Sequence, residues 1–242
     1  MALPRGAAGG RDGPPPRDMT EPLHHPHRPL LHEEMEQIRE MVLDLGHRVD
    51  EAIQRATHGL VERDVEMCAR VIAGDHHINE EQREIRELCF TAVLTQAPVA
   101  RDLREILGFQ HMAAELERMG DHCVSIAKIG RNLADLPEIK PTVDLPAIAH
   151  LTAEQLRSML SALVARDTDA ARIVAAKDDR IDRMYHRVFD DLVSCMVEDG
   201  SNVYPATNLI MVAHHLERIA DRVTNLAEDL VFLETGSIEE LG

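Results

Sequence analysis

Beyond residue 30, apolar residues recur at steps of three and four along almost the whole chain. The clearest stripe runs through Leu209, Ala213, Leu216, Ile219, Val223, Leu226 and Leu230. That period buries one helical face against antiparallel neighbours at a shallow crossing angle. Breaks in the pattern are few and fall on turn residues. Pro98 follows Gln96-Ala97, Pro137 and Pro141 bracket a linker, and Pro146 opens the next run. Gly200 and Pro205 mark a further break, and Gly236 ends the last run. The pattern predicts an all-α chain of six long helices, at about 31–61, 65–96, 99–134, 145–166, 168–198 and 202–235.

The pattern also repeats. Glu117-Arg118-Met119-Gly120-Asp121, leading to Ser125-Ile126-Ala127, returns one hundred residues later as Glu217-Arg218-Ile219-Ala220-Asp221, leading to Asn225-Leu226-Ala227. Leu60-Val61-Glu62-Arg63-Asp64 returns as Leu163-Val164-Ala165-Arg166-Asp167, and Asp75-His76-His77-Ile78-Asn79 as Asp178-Asp179-Arg180-Ile181-Asp182, both at an offset of 103. The second copy is therefore three residues shorter, most naturally at the turn between its second and third helices. Two copies are a tandem duplication of a three-helix bundle rather than a solenoid. The expected plan is a disordered Pro/Gly/His-rich tail over 1–30, a first repeat over 31–135, a linker over 136–145, a second repeat over 146–235 and a C-terminal tail over 236–242. His24, His25, His27 and His32 cluster at the start; a flexible tail is the default and a metal-binding one the alternative.

Composition narrows the picture. Hydrophobic residues make up 44% of the 242, but aromatics only 2%, so the core is aliphatic, as in helix bundles. The formal net charge of −17 argues against nucleic acid or an anionic membrane as direct partner and favours cations or a basic protein face, with solubility alone as the alternative. No apolar stretch is long enough to span a bilayer, and no signal-peptide segment opens the chain. Cys68, Cys89, Cys123 and Cys195 form no C-x-x-C pair and read as buried thiols of a reduced, cytosolic protein.

Glu117 and Asp121 share a helical face, as do Glu217 and Asp221, Asp178 and Asp182, and, in a variant with one amide, Asp75 and Asn79. Like charges at this spacing repel by a few tenths of a kcal/mol. In an antiparallel pair, residues equidistant from the turn face each other. Asp75 with Asp121, and Asn79 with Glu117, both centre on Pro98; Asp178 with Asp221, and Asp182 with Glu217, both centre between Asp199 and Gly200. Each hairpin thus gathers four polar side chains at one height. Oxygen donors of this kind suit magnesium, calcium, manganese or iron over soft metals. The competing reading is a charged surface paired by Arg118 and Arg218. His111, His122, His214 and His215 lie near these motifs and read as surface or core histidines. A ferritin-type di-iron site would need Glu-x-x-His in both copies, which is absent.

Together the Glu-Arg-x-x-Asp motifs, Asp75-x-x-Ile-Asn79, Asp178-x-x-Ile-Asp182, Asp102-Leu103-Arg104 and Asn225-Leu226-Ala227 resemble the PhoU family of bacterial phosphate-transport regulators, over roughly residues 31–235. The resemblance implies a pair of three-helix bundles with iron or zinc clusters on the paired acids; magnesium or manganese remain open. Transferred by motif, it marks Glu117, Asp121, Glu217 and Asp221, with Asp75, Asp178 and Asp182 opposite and Asn79 aligned as an amide. It implies a non-enzymatic, cytoplasmic regulator, expected as a homodimer, that couples the ATPase subunit of the phosphate ABC transporter to a sensor histidine kinase and represses the phosphate-starvation response. Ser125 stands where the family usually has Asn, so the first site is expected to hold metal less well; the N-terminal tail is outside the family pattern. The alternatives are a metal-dependent helical enzyme, of phosphatase or di-iron type, and a metal-free helical adaptor.

Overall fold

The computed structural model describes residues 28–139 and 144–242. The tail up to residue 27, with His24, His25 and His27, and linker positions 140–143 lie outside the described residues. Among the described residues seven α-helices follow one another: α1 (Arg28–Val61), α2 (Val65–Gln96), α3 (Arg101–Leu133), α4 (Leu145–Ala165), α5 (Thr168–Ala175), α6 (Asp178–Glu198) and α7 (Val203–Thr235). They make six rods, because α5 and α6 together form the fifth.

Two expectations are corrected. The first rod begins at Arg28 rather than 31. The fifth rod is not continuous over 168–198 but breaks at Ala176-Lys177. There the Lys177 amide donates to the Val174 carbonyl and the Arg180 amide to the Lys177 carbonyl, both at 3.1 Å, a three-residue spacing that tightens the turn. Asp178 and Asp179 then open α6, where a helix N-terminus favours negative charge.

Local chemistry sets the other ends. Asp64 accepts from the Met67 amide at 2.8 Å, and Asp167 from the Asp169 and Ala170 amides, each capping the next helix. Asp144 caps α4, whose first turn carries Pro146. Just before two of these caps, Arg63 and Arg166 hold left-handed backbone, at φ 56° and 52°. Such φ values are unusual for a residue with a Cβ. Long-range bonds hold both. Arg63 donates to the Ala134 and Leu136 carbonyls at the end of α3, and Arg166 pairs with Glu105 of α3 and Glu234 of α7. The repeated Arg-Asp therefore pins one turn and caps the next helix.

α3 and α7 lie side by side at the centre. α1 and α2 pack on α3; α4, α5 and α6 pack on α7; α1 meets α4 across the repeats. One core runs through both halves, with Ile38, Leu45, Ile53, Leu116, Met119 and Leu216 among its fully buried members. The C-terminal segment folds back: Arg172 of α5 makes two bonds to Glu239, at 3.0 and 2.9 Å, and the Leu241 amide donates to Glu228 at 2.9 Å. All four cysteines are buried. Among the described residues, no helix is long and apolar enough to cross a membrane.

Leu216 is 0% exposed in the α7 seam, so Leu216→Ala is expected to cost about 2–5 kcal/mol of unfolding free energy. Urea denaturation checks this; a loss below about 1 kcal/mol would contradict a closely packed seam.

Candidate metal centres

Both sets of acids sit on the polar edges of helices whose other faces form the core, so packing holds their spacing. In the second repeat, oxygens of Asp178, Asp182 and Asp221 all lie within 4.8 Å of one another. Glu217 stands one turn before Asp221 and its pKa is pushed up to about 7, by burial first and then by the charge of Asp221. Burial, Asp221 and Asp182 push Asp178 up to about 6. Burial also raises Asp221, against the pull of Arg218. One oxygen each of Asp178, Asp182 and Glu217 is buried without a hydrogen-bond partner. Acids that carry raised pKa values and orphaned oxygens are short of positive charge, which fits a cation with oxygen ligands.

The first repeat is looser. Asp75 is raised by burial and then by Asp121, and Glu117 by burial, Asp121 and Asp75, so the three face one another across the α2–α3 hairpin. Asn79 donates to Asp75 at 2.9 Å, leaving the other Asp75 oxygen without a partner. Asp121 is exposed, whereas its counterpart Asp221 is half-buried. All eight marked residues thus fall at the two hairpins, four to each, with the tighter cluster in the second.

The neighbouring arginines divide the same way. Arg118 pairs with Glu115 at 2.8 Å rather than with Glu117 or Asp121, while Arg218 touches Asp221. One arginine leaves the second set of four acids with excess negative charge. His214 approaches Glu217 at 3.4 Å.

A second polar feature crosses the α3–α7 seam. Glu115, 1% exposed, accepts from Arg222 at 2.9 Å, from Asn225 at 2.8 Å and from Arg118. Burial would raise its pKa, but the bonds from Asn225 and Arg222 outweigh burial and lower it. At the offset of one hundred, Glu115, Arg222 and Asn225 correspond to His215, His122 and Ser125. There the rings of His122 and His215 meet nitrogen to nitrogen at 3.1 Å, and burial with the facing His215 and Arg222 pushes His122 down to about 4, keeping it neutral. Ser125 bonds only back to the Asp121 carbonyl, at 3.0 Å. Ser125 thus supplies no counterpart to the bond that Asn225 makes across the seam. Nothing in the sequence periodicity announces Glu115; its position two residues before Glu117, on a core-facing turn, was the available signal.

Two bundles fused about a central helix pair, each displaying a hairpin of clustered acids, define a class: an all-helical scaffold with duplicated cation-suited sites. Family comparison carries this to a particular group. The PhoU domain matches twice, over residues 42–130 and 145–230, and the chain belongs to the PhoU family. It is 35% identical over 208 residues to the "Phosphate-specific transport system accessory protein PhoU homolog" of Aquifex aeolicus, covering 86% of this chain and 94% of that protein. It is 31% identical to the homolog of the same description from Rhizobium meliloti, covering 85% and 87%. The crystal structure of the phosphate transport system regulatory protein PhoU from Streptococcus pneumoniae superposes with a TM-score of 0.81 at 30% identity, covering 87% of this chain and 100% of that one. PhoU from Pseudomonas aeruginosa gives a TM-score of 0.82 at 29% identity, covering 86% and 100%.

The raised carboxylates make the metal-free protein sensitive to pH. Glu217 ionises less readily folded than unfolded, so its favourable contribution is complete below its ordinary value of 4.5 and is lost as pH rises through about 7. Glu217→Gln cannot ionise. In chelator its stability relative to wild type should increase across that window, by on the order of 1 kcal/mol after solvent screening. Chemical denaturation at a series of pH values reads the difference; a gap that stays flat would show that Glu217 is not crowded by its neighbours.

Proposed function

We propose that this chain is an accessory protein of a phosphate-specific transport system that acts by docking rather than by turnover. Its partners would be the transporter's ATPase subunit and a sensor histidine kinase, whose output it lowers when phosphate is plentiful. The double match to the PhoU domain carries the reading, supported by relatives named as accessory proteins at 31–35% identity. The four buried thiols suit action in the cytoplasm. Phe90 and Leu94, with Val193 and Val197 at the 103-residue offset, are exposed apolar pairs that favour protein contacts, including a homodimer.

In this reading the acids hold cations. Asp178, Asp182, Glu217 and Asp221 would bind at the second site, and Asp75, Asn79, Glu117 and Asp121 at the first. A bound cation supplies the positive charge that the orphaned oxygens lack, and so ties the two helices of each hairpin together. The donors are all oxygen, which favours iron over zinc of the two metals the family implies, with manganese and magnesium as further hard candidates.

Elemental analysis of protein purified without chelator should find cations bound at the acids. Absence of metal, with no rise in melting temperature on adding Fe²⁺, Zn²⁺, Mn²⁺ or Mg²⁺, would refute the metal reading. In a deletion strain, phosphate-starvation genes should be expressed in phosphate-rich medium. Continued repression there would refute the regulatory reading, and phosphate-ester turnover lost in Glu217→Ala would favour an enzyme instead.

A further inference from the structure

The break in the fifth rod coincides with one buried amide. Gln155 on α4 is 1% exposed. Its Nε2 donates to the Val174 carbonyl at 3.3 Å, and the amide stands beside the Asp178 carboxylate, whose ionised form it favours. Val174 lies in the last turn of α5 and Asp178 is the first residue of α6. One side chain therefore holds the last turn before the break and stands beside the acid that opens the helix after it. Its Oε1 is buried without a hydrogen-bond partner, as are single oxygens of Asp178 and Asp182.

The first repeat is built otherwise. At the 103-residue offset the position of Gln155 is taken by Ala52, and α2 runs unbroken from Val65 to Gln96. Beside Ala52 lies a cavity of about 120 Å³ that Asp75 also lines. Where the second repeat has an amide beside its acid, the first has open space, and Asp75 is bonded only along its own helix by Asn79.

We propose that Gln155 is a positioning residue of the second acidic site. By clamping the α5–α6 break it aims the Asp178 carboxylate toward Asp182 and Asp221, so the second site is preorganised for a divalent cation and the first is not. Neighbours that orient a ligand carboxylate typically change metal affinity by about 10–100-fold when lost. The proposal rests on the cation reading above and adds which residue sets the order of filling.

Gln155→Met keeps the volume and removes the amide; Val174 retains its backbone bond from Lys177. The full chain is titrated with Mn²⁺ while hydrogen–deuterium exchange is read separately on α2–α3 and α6–α7 peptides. In wild type, α6–α7 should become protected at lower Mn²⁺ than α2–α3. In Gln155→Met the α6–α7 midpoint should rise about tenfold while the α2–α3 midpoint stays put. Gln155→Leu serves in the same way should the methionine variant not fold. If both hairpins respond to Mn²⁺ and the α6–α7 midpoint is unmoved, the role of Gln155 is overturned while the cation reading stands. If neither hairpin responds, the cation reading fails and this inference falls with it.

Discussion

The contact between α3 and α7 is the constraint from which the rest follows. Each helix carries an apolar stripe that is almost fully buried, and a large aliphatic side chain so placed contributes about 1.5–3 kcal/mol relative to exposure. The other helices of each repeat find their places on one or other of this pair. Glu117, Asp121, Glu217 and Asp221 ride on its polar edges, facing acids on α2 and α6, and their mutual repulsion would by itself drive the hairpins apart. Burial along the seam opposes that repulsion, which is why carboxylates with raised pKa values coexist in a folded chain.

The six-rod plan, the duplication and the pairing of acids were legible because they depend on period and symmetry. The stripe from Leu209 to Leu230 states a helix and its buried face without further information. The midpoints at Pro98 and at Asp199-Gly200 point to Asp75 opposite Asp121 and Asp178 opposite Asp221, because residues equidistant from a short turn face each other in an antiparallel hairpin. The break at Ala176-Lys177 was not legible. Ala176 and Lys177, which form it, both have good helix propensity, and its partner, Gln155, lies on another helix. Glu115 escaped for a similar reason: its partners across the seam, Arg222 and Asn225, are more than one hundred residues away, and its counterpart in the other copy is a histidine.

The two acidic sites have diverged more than their motifs suggest. The second has four carboxylates, a half-buried Asp221 and a broken helix held by an amide from α4. The first has an amide among its acids, an exposed Asp121 and a cavity. One scaffold thus offers two sites of unequal readiness. In the cation reading proposed above, such a pair would respond over a wider range of cation concentration than two equal sites could.

The polar pairs along the seam carry a further consequence. Glu115 meets Arg222 and Asn225, while His215 meets His122. A molecule made of two first halves would set each Glu115 against His122 and Ser125, losing both strong donors. One made of two second halves would set His215 where Glu115 stands, leaving Arg222 and Asn225 without that carboxylate. Only the unlike combination brings Glu115 to both Arg222 and Asn225. The seam therefore works as a recognition code between the halves, and the heterotypic arrangement is written into the contact surface itself as well as into the peptide bond that joins the copies.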